Sequence, residues 1–169
     1  MLSLCARDIM TRDVVTARKG TSIETAVRLM ADNRVSGLPV VDTEGFLLGM
    51  ISESDVLLKD INALSETRGT PHGIFAPRPY GVDEAYRRAQ SQLVEEAMTK
   101  KVVVFSEDSL VVDIAQTMIE HAINRVPIVD GRKLIGIVSR HDVISAMAKA
   151  IPTDNYDVDN LRSGKVIEL

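Results

Sequence analysis

Tryptophan is absent from this sequence of 169 residues, and aromatic residues of any kind make up only 4%. A core built from this chain must therefore be aliphatic, filled by Val, Ile, Leu, Ala and seven Met. Cys5 is the one cysteine, which excludes an internal disulfide and a cysteine-based zinc site. No run of about 18 apolar residues occurs, the length a membrane-crossing helix needs. The segment from Met1 to Asp8 has no basic stretch followed by an apolar one, so no secretory signal is read there and a cytoplasmic protein is expected. Excess positive charge is missing too. The 24 acidic and 20 basic side chains leave a net charge of −4, which argues against nucleic acid as a main partner. The histidines at 72, 121 and 141 show no metal-ligand spacing, and no metal is expected. What is present is an ordinary globular mix, 45% hydrophobic and 26% charged, enough for one domain or two small ones sharing a core.

The dominant pattern is a repeat. Met10-Thr11-x-x-Val14-Val15 returns as Met98-Thr99-x-x-Val102-Val103, a shift of 88. The same shift takes Met30 to Met118, Pro39 to Pro127 and Asp42 to Asp130. One deletion then makes it 87, pairing Gly49 with Gly136, Ser52 with Ser139 and Asp55 with Asp142. A chance match would not hold one register so far. Each copy reads as strand, helix, strand, strand, helix. In the first copy the spacing predicts a strand at 14–16, a helix over 22–33 capped by Ser22, a strand at 38–42, a doubly buried apolar strand at 46–51, and a helix from Ser52. In the second copy the counterparts are 102–105, 110–122, 126–129, 133–138 and 139–150. Each unit of about 50 residues is too small for a secure core alone. The expectation is an α/β (α+β) module in which two tandem repeats pack, sheet against sheet, about an approximate two-fold axis. The divisions are 1–61 for the first repeat, 62–92 for an insert whose later part from Asp83 reads as a helix running to Ala97, 93–151 for the second repeat, and 152–169 for a polar tail.

One short pattern occurs twice where strand passes to helix. It is Gly49-Met50-Ile51-Ser52-Glu53-Ser54-Asp55 and Gly136-Ile137-Val138-Ser139-Arg140-His141-Asp142. Ser-x-x-Asp is close to a capping box, which satisfies free amides of the first helical turn. The same geometry suits an anion at a helix N-terminus, with Ser donating to phosphate and Asp accepting from two ribose hydroxyls. The strand entries Val35-Ser36-Gly37-Leu38-Pro39 and Ile123-Asn124-Arg125-Val126-Pro127 are extended before proline and offer unpaired backbone groups. Ser139, His141 and Asp142 do not make a hydrolase triad. Three residues in one helical turn diverge, and Ser52-x-x-Asp55 has no histidine. No enzymatic activity is expected.

These residues resemble CBS domains, the repeats first named in cystathionine β-synthase, and the chain looks like a single stand-alone CBS pair (a Bateman module). The resemblance covers both copies and leaves out the insert and the tail. It implies a regulatory module that binds AMP, ADP, ATP or S-adenosylmethionine in clefts between the repeats and signals to a separate effector protein, as a homodimer. It implies one cleft where Asp142, with Ser139, Arg140 and His141, faces Val15, Val35, Ser36, Gly37 and Pro39, with Asn124 and Arg125 placed nearby. In the other, Ser52, Ser54 and Asp55 face Val103, Ile123, Val126 and Pro127. Arg140, His141 and Arg125 then make the Asp142 cleft the one suited to phosphate, with no matching cation at Asp55. The alternative reading is a ligand-independent interaction and dimerisation module, in which Ser-x-x-Asp only caps helices.

Overall fold

The computed structural model describes residues 4–57 and 93–150. The expected insert and tail, and most of the helix expected from Asp83, lie outside the described residues. The chain order is α1 (Ala6–Ile9), β1 (Ala17–Arg18), α2 (Ile23–Asn33), β2 (Gly37–Val41), β3 (Leu47–Ser52), helical residues 53–57 as α3, α4 (Val94–Ala97), α5 (Val111–Glu120), β4 (Arg125–Asp130), β5 (Lys133–Ser139) and α6 (Arg140–Ala150).

Helix α2 forms where apolar residues recur every three or four positions. Ile23, Ala26 and Met30 face the core. Its start is fixed by Ser22, whose side chain accepts the Thr25 N–H at 3.2 Å, and its end by Arg34 in the left-handed region. Ser22→Ala should lower stability by about 1 kcal/mol in a denaturant titration; an unchanged midpoint would mean that the cap carries no weight.

Two sheets result. β1 runs parallel to β2, which pairs antiparallel with β3. β4 and β5 form the second hairpin, Val126 opposite Val138. Two expectations need correction. Residues 14–16 and 102–104 are not ladder strands. Pairing starts later, at Ala17 opposite Val40 and at the single bridge of Phe105 with Ile128. Nor is 46–51 buried on both faces. Only Gly49 and Ile51 are buried, while Leu47, Leu48 and Met50 are partly exposed because they line cavities.

The two cores interleave the repeats. Ala6 and Met10, from the first copy, pack with Val111, Ile114, Met118, Val126 and Ile128 of the second. Val94, which begins the second copy, packs with Ile23, Met30, Leu38, Val40 and Ile51 of the first. Backbone bonds fix both crossings. Thr11 and Ile137 exchange N–H···O bonds at 2.9 and 3.0 Å, and Thr99 and Met50 do so at 2.8 and 3.0 Å. These are the same contact under the repeat shift. Between the hairpin turns, Leu47 N–H donates to Arg132 O at 2.9 Å and Leu134 N–H to Gly45 O at 3.1 Å.

Candidate functional site

Both Ser-x-x-Asp motifs fold the same way. The Asp55 Oδ2 accepts from the Ser52 N–H at 2.8 Å and from its hydroxyl at 2.7 Å. Asp142 Oδ2 accepts from the Ser139 N–H at 2.7 Å and its hydroxyl at 2.5 Å, and the Asp142 N–H returns to Ser139 Oγ at 3.3 Å. The carboxylates therefore do cap their helices. Capping uses only one oxygen. Asp55 Oδ1 receives no hydrogen bond from the described residues and stays available.

Asp55 lies in a cleft of about 290 Å³ between the repeats. Ser36, Ser52, Glu53 and Ser54 join it from the first repeat, and Lys101, Val103, Ile123, Asn124 and Arg125 face it from the second. Met50, Val102 and Ala122 add apolar wall. A carboxylate with a free oxygen, an apolar face and cations thus share one space, a composition suited to an amphipathic anion.

Arg125 crosses the repeat boundary. It donates to the Ser36 carbonyl at 3.0 Å and to the Ser36 hydroxyl. Burial pushes its guanidinium below the usual arginine value, and the charge of Glu53 opposes that shift. A Cβ on Gly37 would collide with this guanidinium and come within 3.0 Å of the Ile51 carbonyl. Only glycine lets the two strand entries approach so closely.

The expectation of no cation at Asp55 is corrected, since Lys101 and Arg125 line that cleft. Arg125, with Ser36 and Asn124, lines the Asp55 cleft. The repeat shift pairs Lys101 with Asp13 and Arg125 with Gly37, but it also pairs Ala122 with Arg34, so the two sides carry different cations. Arg140, like Arg125, is held by hydrogen bonds to neighbouring residues. Its Nε donates to Ile123 O and its Nη2 to Met118 O, each at 3.0 Å, which satisfies carbonyls at and after the end of α5. His141 is exposed. Val126 and Pro127 are buried strand residues and do not line the Asp55 cleft. Gly37 and Pro39 are likewise buried in β2, and Val15 and Val35 pack against the first core. The sequence reading missed Thr99, Lys101 and Met50 in the lining. Thr99 sits in the repeated Met-Thr pair, and that pair was the available signal. Among the described residues there is no group of three metal-ligating side chains and no helix long and apolar enough to cross a membrane.

The fold, its duplication and the cleft between the copies define a CBS-domain pair, and the chain belongs to the CBS-domain family, matched at residues 6–61 and 94–149. It is similar to the uncharacterised protein MJ1426 of Methanocaldococcus jannaschii, 31% identical over 156 residues that cover 83% of this chain and 89% of the relative. Other relatives are longer. The chain spans 33% of MJ1404 from the same archaeon. Among solved structures it is similar to CBSX2 in complex with AMP, with a TM-score of 0.67 and 27% identity, covering 86% of this chain and 97% of that one. CBSX2 is a chloroplastic protein of Arabidopsis thaliana. It is also similar to the CBS domain pair of MJ0100 in complex with 5′-methylthioadenosine and S-adenosyl-L-methionine, with a TM-score of 0.66 and 26% identity, covering 88% and 98%.

Proposed function

We propose that this chain is a cytoplasmic regulatory module that binds an adenosine-bearing anion in the Asp55 cleft and passes the signal to a separate effector. The observation that carries the reading is the placement of Asp55, with one oxygen unused, opposite Lys101 and Arg125 in a single space. Asp55 Oδ1 accepts from ribose hydroxyls, the apolar wall takes the base, and the two cations hold phosphate. Binding across the boundary biases the relative position of the repeats, because each wall belongs to a different one. The complexes of CBSX2 with AMP and of MJ0100 with S-adenosylmethionine support the ligand class. The cations favour AMP, ADP or ATP over the sulfonium ligand.

A second reading has its own observation. Ile119 is 76% exposed, and Ile144 and Met147 on α6 are also exposed. Their counterparts under the repeat shift are Ala31, Leu57 and Asp60. Leu57 is exposed as well, and exposed apolar side chains on the helices of both repeats fit self-association.

A thermal-shift panel with AMP, ADP, ATP, S-adenosylmethionine and NAD separates the two readings. A ligand at about 100 times its Kd adds roughly 2.7 kcal/mol, a midpoint rise of roughly 5–10 °C for a domain of this size. The expected result is such a rise with at least one of the adenine nucleotides. No rise with any adenosine compound would leave the interaction module as the better reading.

A further inference from the structure

The extended segment 99–103 is a partition with a cavity on each side. Thr99, Lys101 and Val103 line the Asp55 cleft, Lys100 and Val104 line a second cavity of about 260 Å³, and Val102 reaches both. This is the alternation of an extended chain, whose successive side chains point to opposite faces. The strand it meets at Thr99 divides the same way, with Met50 towards the cleft and Gly49 towards the second cavity. Apart from Lys100 and Arg132, the second cavity is walled by apolar residues and glycines, with Val102, Val104 and Val129 as its β-branched floor. Both of its charged residues are cations, and among the described residues neither forms an ion pair.

The repeat supplies an internal comparison. A cavity of about 330 Å³ in the first copy has Arg12 in place of Lys100, Val14 for Val102, Thr16 for Val104 and Val41 for Val129. There Asp42 and Glu44 share the lining with Arg12 and Arg18, so the charges balance. The second-copy cavity keeps one cation, Lys100 for Arg12, gains Arg132 where the first copy has Gly45, and has no acid in its lining.

We propose that the Lys100–Arg132 cavity is a binding site for a small branched aliphatic carboxylate. The carboxylate faces the two cations, where charge-assisted hydrogen bonds are strongest. The hydrocarbon body covers Val102, Val104 and Val129. A bare inorganic anion would leave that floor wet, and a neutral hydrocarbon would leave the cations unused. Its lining offers no carboxylate or hydroxyl to take ribose hydroxyls, which suits such an acid rather than a nucleotide. The site is independent of the nucleotide reading, since it lies on the other side of the 99–103 partition.

The test is a titration of the full, methyl-labelled chain with 3-methylbutanoate, followed by NMR. The neutral isostere 3-methylbutanol and inorganic phosphate serve as comparison arms. Saturable shifts at Val104 and Val129 are expected with the acid alone. The double variant Lys100→Gln/Arg132→Gln should weaken binding by about tenfold or more with an unchanged melting midpoint, because both side chains are exposed. Val104→Glu, which places a carboxylate in the cavity, should abolish binding even if the double variant fails to fold. Four results would overturn the proposal: no saturable shift, equal shifts with the alcohol or with phosphate, binding retained in the variants, or shifts confined to Val103 and Ile123 of the Asp55 cleft.

Discussion

Asp55→Ala should abolish the nucleotide-induced rise in melting midpoint, while Asp142→Ala should leave it in place. Two hydrogen bonds from ribose hydroxyls to a carboxylate are each worth about 1.5–3 kcal/mol. Their loss weakens binding on the order of 100-fold or more, enough to remove the rise at any practical concentration. The same substitution deprives the Ser52 N–H and hydroxyl of their acceptor, so a fall in stability of about 1 kcal/mol is also expected. The two effects separate experimentally. Destabilisation appears in the melting point without ligand, loss of binding in the ligand-dependent increment. A rise that survives in Asp55→Ala but vanishes in Asp142→Ala would move the ligand to the other cleft and defeat the argument from Lys101 and Arg125.

Leu38→Ala and Ile128→Ala should each destabilise the protein by about 2–5 kcal/mol, the range for truncating a large aliphatic side chain in a packed core. Both residues are fully buried, Leu38 in the first core and Ile128 in the second. Either loss is a large part of the total stability of a small domain, about 5–15 kcal/mol. The sharper expectation concerns cooperativity. Each core contains chain from both repeats, so either substitution should lower one shared calorimetric transition. Two separated transitions, with only one moved by each variant, would show the repeats to be independent. Ile119→Ala, at an exposed position, should change stability by no more than about 0.5 kcal/mol.

Much of the fold is legible in the sequence because local forces set it. The register of α2 follows from Ile23, Ala26 and Met30 at helical spacing, and its start from Ser22. The hairpin of β4 and β5 follows from Asp130-Gly131 between two apolar runs, with Gly131 at positive φ. The short strands at 14–16 and 102–105 are misplaced for a tertiary reason. β-branched residues suit a strand, but here Val102 and Val103 serve as cavity wall, and the ladder begins only where β2 or β4 is in reach. The pairing of Asp55 with Val103 and Ile123 is visible in the repeat and its family pattern. The position of Arg125 is not. Its guanidinium lies over Ser36, in space that only a glycine at 37 leaves open, a tertiary fit with no signature in the sequence of either strand entry. Exchange of the arms is invisible to any repeat comparison, since a copy aligns identically whether its first turn packs on itself or on its twin.

That exchange has a consequence for any half of the chain expressed alone. A single repeat would present Ala6 and Met10, or Val94, with no core to enter, and would lack the arm that seals its own. Two such halves would each close the other, in the manner of a domain-swapped dimer. The tandem chain is then a swapped pair with its halves permanently joined. Separating the halves should turn a folding reaction that is indifferent to dilution into one that depends on concentration.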